Sequence, residues 1–543
     1  MTEECEVEQQ LCGILCDVTD DQFDALVRKL EPYASSNPSQ YRFRVGLLAA
    51  LGYVYIFAVL AVLLVGIGVL AFLIKTGHLS ALTLKPAIIL LILILTILRS
   101  LWVTIPPPDG NAIVRDDFPE LFQEIDSLSE KLRAPQFHHI LINGEMNAAA
   151  AQHPRLGIFG WQENYLILGV PLMMGLTRDE FRSVVAHEMG HVSGNHGRFG
   201  GWIYRVRLTY MQLLSRLMRN KGRGVWLFRS FFGWYAPYFS AYSFVLARSN
   251  EFEADRAMAD VVGPEIAGNA LVRIAIAARY VSHRYWPDVF KRVKTDAVPP
   301  QGSFAELAGS LKNAIPIPDR DRWLSASLMS KTDTDDTHPA LIDRLRALGY
   351  ISADTDLFPT GTDLAVTDAK PALAPPPSFE LSAADSYFGT RLPDIVERIE
   401  RDWRQQVIGP WQKEHTQILE RRRTLAALND RVASQQPLTQ VEEWERVVAT
   451  MQLEGNHEVL PLVRGFLDKY PDNNRAIFLM GKCLLIERDP AGLEWLDRAM
   501  RADPMATMPV CELAVSYLLD QGRKEDADRY IAMARSFQAQ AKS

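Results

Sequence analysis

His187 and His191 stand four residues apart in the run His187-Glu188-Met189-Gly190-His191, an H-E-x-x-H pattern. Residues 181–186 before it read as the start of a helix, and helix positions four apart lie one above the other on one face. Two imidazoles so placed can hold one metal ion. Glu188 beside them is placed to act on a water bound to that ion. The competing reading is a helix whose two histidines only pack or meet solvent, so the pattern needs a third ligand.

His196 follows closely but does not supply it. A metzincin site needs its third histidine at the position that Gly197 occupies, and His196 comes one residue early. On a continued helix, at about 100° per residue, it points roughly opposite to His187. Cys12 and Cys16 are too short of partners to form a site. The better candidate is Glu251, in Ser249-Asn250-Glu251-Phe252-Glu253-Ala254-Asp255. Glu251 and Asp255 share a helix face. One carboxylate can bind the metal, and the other can receive the spare N–H of a ligating imidazole. Two histidines and one carboxylate leave the fourth zinc position open for water, the catalytic pattern. A solvated acidic face of Glu251, Glu253 and Asp255 is the alternative.

The H-E-M-G-H run followed by Asn250-Glu251-Phe252-Glu253-Ala254-Asp255 resembles the membrane zinc metallopeptidases that include HtpX and the CAAX prenyl proteases. The resemblance covers about 110–350. It implies a zincin, gluzincin-like metalloprotease domain with one zinc ion per chain. It also implies His187, His191 and Glu251 as ligands, Glu188 as catalytic base and Asp255 as the group behind a ligating histidine. Thr337-His338-Pro339-Ala340, with Arg344 four residues on, fits a further family element, T-H-P-P-x-x-x-R, although Ala340 stands where a second proline is common. That element implies His338 at the substrate or oxyanion and Arg344 beside the substrate.

These residues need elements to hold them. Thr177 is a good N-cap for the active-site helix, and Glu180 completes a capping box. Residues 118–132 have helical periodicity, while 137–142 and 165–170 read as short strands. Between the strands lie Asn147 and Ala148. In the resembling family such an Asn-Ala element sits on an edge strand above the zinc, where backbone pairing can hold a peptide regardless of its sequence. An ordinary loop is the other reading. His138, His139 and His153 read as strand or loop residues.

The 543-residue length predicts about three or four domains. Net charge is −7 and spread along the chain, which gives no footprint for nucleic acid. Five cysteines, three near the N-terminus and two near the C-terminus, suggest a reducing compartment rather than a disulfide framework. Residues 1–40 form a polar N-terminal segment without the pattern of a cleavable signal peptide, and 20–30 could be a short amphipathic helix. Residues 41–108 read as a transmembrane hairpin with spans at about 45–74 and 86–105, since about 20 apolar residues suffice to cross a bilayer. Basic residues flank the outside of this hairpin more than its loop. The positive-inside rule therefore places the catalytic part in the cytoplasm, on an inner or plasma membrane.

The metallopeptidase domain is expected over 109–351. Within it, 201–247 mixes aromatic and basic residues, which suits an interfacial helical pair at the bilayer surface or buried helices with snorkelling arginines. A Pro-rich linker is expected over 352–385, then a helical region over 386–543 with tetratricopeptide-like repeats from about 459. Pro471 and Pro504 recur about one repeat apart, and Leu484-Leu485 and Leu518-Leu519 recur at 34. The fold class expected is mainly α with a small β-sheet. The function expected is a membrane-anchored zinc endopeptidase for membrane or misfolded proteins. Its partners would be protein or peptide substrates, the lipid bilayer and a protein docking on the C-terminal repeats. The alternative is a membrane scaffold with an inactive or regulatory zinc domain, against which the intact Glu188 argues.

Overall fold

The computed structural model describes residues 20–76, 84–86, 88–92, 94–95, 107–154, 162–193, 199–203, 205–207, 210, 225–330, 332, 338–352, 373–521 and 523–542. Most of the second expected span, His196, Cys12 and Cys16, the acidic loop before His338 and most of the expected linker lie outside them.

The chain begins with α1 (Asp20–Ser36) and α2 (Pro38–Lys75). Helix α2 is 38 residues long and carries no charge between Arg44 and Lys75. At 1.5 Å per residue it extends about 57 Å, well beyond the roughly 30 Å hydrocarbon core of a bilayer. Among the described residues it is the one helix long and apolar enough to cross a membrane. Its first half has an inner face, Tyr41, Val45, Ala49 and Ile56, that is fully buried, while Phe43, Val54, Val62, Val65 and Phe72 are exposed.

The sheet-bearing core follows. It comprises β1 (Asn111–Ala112), α3 (Pro119–Leu132), β2 (His139–Asn143), β3 (Ala148–Pro154), β4 (Gln162–Gly169), α4 (Val170–Gly175) and α5 (Arg178–Val192). The four strands form one sheet in the order β1-β2-β4-β3, in which only β2 and β4 are parallel. Strand β3 is an edge. The even positions Ile140, Ile142, Leu166 and Leu168 face Phe181, Val184 and Val185 of α5, as the period of 2 requires. Helix α5 opens with the expected capping box between Thr177 and Glu180, and Arg273 holds Glu180 through a 3.0 Å ion pair.

Next comes α6 (Val225–Val262), a single 38-residue helix. This one helix carries both the end of the aromatic stretch 201–247 and the acidic motif that follows it. It runs antiparallel to α2. The Tyr41 ring stacks on Tyr242, the Tyr235 hydroxyl donates to the Leu48 carbonyl, and the Tyr55 ring lies 3.8 Å from Phe231. Aromatic stacking and hydroxyl-to-carbonyl bonds thus hold the two helices side by side.

The chain continues through α7 (Pro264–Tyr280), α8 (Trp286–Lys291), α9 (Ser303–Gly309), α10 (Ile317–Met329) and α11 (Leu341–Ala347). Then α12 (Ala383–Phe388) and α13 (Leu392–Ala433) return to the sheet-bearing core. Ala383, Ala384, Tyr387, Phe388, Ile395 and Ile399 are buried in it with Phe181 of α5. Ala383 and Ala384, read from sequence as the end of a linker, are therefore core residues. The small side chains of Ala383 and Ala384 allow close approach to α4, where the Ala383 N–H donates to the Leu176 carbonyl at 2.8 Å.

Six further helices follow among the described residues: α14 (Gln440–Leu453), α15 (Asn456–Lys469), α16 (Asn474–Ile486), α17 (Ala491–Ala502), α18 (Thr507–Asp520) and α19 (Lys524–Lys542). They share their own core, from Val447 and Val459 to Leu518 and Tyr530. This region is tied to the rest through α13, where Trp411 Nε1 donates to the Asp296 carbonyl and His415 Nδ1 lies 2.7 Å from the Val293 carbonyl.

Candidate metal centre

Helices α5 and α6 cross closely where the two histidines and the acidic motif meet. Gly190 permits this. A Cβ there would lie 3.0 Å from the Ala254 Cα and 3.3 Å from its Cβ, so a larger residue would push α6 away. His187 and Glu251 are buried, and His191 is partly open.

The contact atoms converge. His187 Nε2 and His191 Nε2 are 3.2 Å apart. Glu251 Oε1 is 3.4 Å from His191 Nε2, and Oε2 is 3.5 Å from His187 Nε2. A tetrahedral ion with bonds of about 2.0–2.2 Å sets its ligand atoms about 3.3–3.5 Å from one another. The three side chains therefore fit one small metal ion. Glu251 Oε2 is buried without a hydrogen-bond partner. An anionic oxygen left so is costly unless a cation faces it.

The protonation balance points the same way. Burial disfavours charge on His187, yet Asp255 and Glu251 outweigh it and raise the imidazole to about 9. His191 is pushed down to about 4 by burial and by His187. Burial alone would raise Glu251, but the surrounding imidazoles hold it at about 2. Glu251 is thus kept anionic and His191 neutral, the forms in which each can donate to a cation.

Behind His187 stands a charged chain. Asp255 Oδ1 lies 3.1 Å from His187 Nδ1. Arg344, from α11, grips Asp255 with two bonds: Nε to Oδ2 at 2.9 Å and a terminal nitrogen to Oδ1 at 2.6 Å. The planar fork of Arg344, expected beside the substrate, is engaged on Asp255, which is 1% exposed. Sequence reasoning missed this pairing, since the partners are 89 positions apart and no local pattern marks it.

The remaining residues surround the opening. His338 is exposed, with Nε2 3.6 Å from Glu251 Oε2. Glu188 points to the edge strand, where the Ala150 N–H donates to its Oε2 at 3.2 Å. Burial raises the Glu188 carboxyl above its ordinary value. Ala148 is the first residue of β3 and is paired with Leu168. Asn147 precedes it, exposed, and its carbonyl accepts the Gly169 N–H at 2.8 Å. Since hydrogen-bonded positions alternate in an antiparallel pair, the backbone groups of residues 148, 150 and 152 turn away from β4. An edge strand thus lies beside the His187, His191 and Glu251 cluster, with Glu188 tied to its middle.

The arrangement can bind a divalent ion, present a carboxylate beside it and lay an extended chain along β3. The model of peptidase family M48 matches residues 119–352, a span that includes every residue of the cluster. No curated protein matches the chain.

Proposed function

Since residues 119–352 belong to peptidase family M48, a family of metallopeptidases, we propose that the chain is a membrane-anchored zinc endopeptidase. The observation that carries this reading is the spacing of His187, His191 and Glu251, whose ligand atoms stand at tetrahedral separations of 3.2–3.5 Å. Two imidazoles and one carboxylate suit zinc and leave a position open.

When bound there, zinc supplies Lewis acidity that makes an attacking water acidic enough to act near neutral pH. Glu188 takes the proton from that water and later passes it to the leaving amine. Its bond from the Ala150 N–H keeps it aligned with the substrate strand. Backbone pairing along β3 holds the substrate extended. His338, on the open side, donates to the developing oxyanion. Asp255 holds the His187 ring through Nδ1, and Arg344 holds Asp255.

The apolar α2 supports anchoring in a bilayer, with Arg42 and Arg44 at one end and Lys75 at the other. Membrane or misfolded proteins are then the natural substrates. The C-terminal helices support a tetratricopeptide-like reading. Ala476 and Val510, Met480 and Ala514, and Leu484 and Leu518 stand 34 apart, and all six are buried. Such a stack takes a protein partner in its groove. Removing the metal with a chelator should abolish cleavage of casein by detergent-solubilised protein, and zinc should restore it while magnesium does not. Cleavage that survives chelation would contradict the reading.

A further inference from the structure

Helix α1 has no part in the chemistry described so far, yet it lies against the helix that carries Glu251. Phe23, Val27, Leu30 and Ala34 fall at spacings of four, three and four, one face of a helix. The last three are buried, and Phe23 meets Phe244 of α6 edge-on at 6.1 Å. Glu31 pairs with Arg248, which is 7% exposed and lies one turn before Glu251. On the other side, Arg42 at the base of α2 pairs with Glu253, two residues after Glu251. Two ion pairs from the N-terminal helices therefore bracket the third ligand.

Helix α6 needs such a brace. Pro237 sits inside it and can give no N–H to the preceding turn, which makes this the natural point of bending. The 14 residues from Pro237 to Glu251 make a lever of about 21 Å. A swing of about 5° would move Glu251 by about 2 Å, whereas a metal site tolerates about 0.2 Å in its bond lengths. Close to the cluster, α6 is also held by its contact with α5 at Gly190 and by Arg344 of α11 on Asp255, while α1 and the base of α2 meet it through Arg248 and Glu253.

We propose that α1 and the base of α2 form a brace that sets the position of Glu251 through Glu31–Arg248 and Arg42–Glu253, so that the N-terminal segment tunes metal affinity and thereby peptidase activity. The four charged residues are positioning residues. The proposal rests on Glu251 being a zinc ligand, as argued above. It also gives residues 20–36 a role: whatever pulls α1 from α6 loosens the metal.

The test is zinc affinity, measured by competition with a chromophoric chelator, on the full chain in detergent. Wild type, Glu31→Ala, Arg42→Ala and, as a remote control, Glu397→Ala of the exposed Glu397–Arg401 pair are compared. Circular dichroism and gel filtration establish that each variant is folded. Glu31→Ala and Arg42→Ala should each bind zinc about 10-fold more weakly than wild type, the scale of lost outer support for a ligand, while Glu397→Ala is unchanged. Should Glu31→Ala fail to fold, Arg42→Ala decides. Affinities within twofold of wild type would overturn the brace while leaving the metal site intact. A wild type that binds no zinc would instead overturn the ligand assignment beneath it.

Discussion

His187 gains its place from three residues on other elements, and each has a distinct consequence. Glu251 approaches its Nε2 and would share a metal with it, Asp255 lies against its Nδ1, and Arg344 holds Asp255. Replacing Arg344 by alanine leaves a buried carboxylate without its cation. Zinc affinity should then fall about 10- to 100-fold, with KM for a peptide substrate unchanged once zinc is saturating. Titration with zinc and steady-state kinetics read the two separately; a raised KM with undiminished zinc affinity would return Arg344 to the substrate. The two histidines and Glu188 were legible because a helix turns a spacing of four into proximity. Glu251 was legible as a candidate for the same reason, its partner Asp255 being four residues on. The Arg344–Asp255 pair was not legible, because packing between α11 and α6 creates it and neither segment encodes the other.

At the scale of elements, the active-site helix is held from both ends of the chain. Strand β3 and Glu188 meet at its front. At its back, Tyr387 of α12 packs on Phe181 with ring centroids 5.6 Å apart, and the Arg178 guanidinium covers Tyr387 at 4.9 Å. Lys312 and Ser382 also tie Asp385 at the start of α12. The match to the peptidase family ends at residue 352, but the hydrophobic core continues to Ile399. A chain ending at residue 352 should therefore expose Phe181 and Met174 and be recovered unfolded or aggregated, whereas one ending at residue 436 should fold. Removing even one such buried aromatic side chain costs about 3–5 kcal/mol. Protease resistance of the two truncated chains checks this, and a resistant, soluble 1–352 would contradict it. Prolines at 371 and 375–377 and the run of small residues around 383 read as linker in the sequence. Nothing local reveals that Ala383 and Ala384 are small because α4 lies against them. The strands and α5 were legible through their periods of 2 and 3.6 and through the Thr177 cap. The unbroken course of α6 from Val225 to Val262 was not, because Pro237 and the change from aromatic to acidic residues leave no single period to follow across it.

Over the whole molecule, one continuous helix joins the apolar N-terminal elements to the metal cluster. The aromatic half of α6 lies along α2, and its acidic half carries Glu251 and Asp255. The apolar helix α2 and the candidate metal centre thus lean on one structural member. If α2 crosses a bilayer as proposed, the full chain should stay with the membrane pellet in alkaline carbonate, and a chain lacking residues 38–105 should not. Full-length protein in the supernatant would argue that another protein, and not lipid, covers the exposed face of α2. The account as a whole depends on one carboxylate and one metal. Zinc content and casein cleavage, measured together in detergent for wild type and Glu188→Gln, test it most directly. The predicted result is about one zinc per chain in both proteins, with cleavage lowered by roughly 10²- to 10⁴-fold in the variant, the range for a lost general base. Absence of zinc from both, or cleavage undiminished in Glu188→Gln, would contradict it.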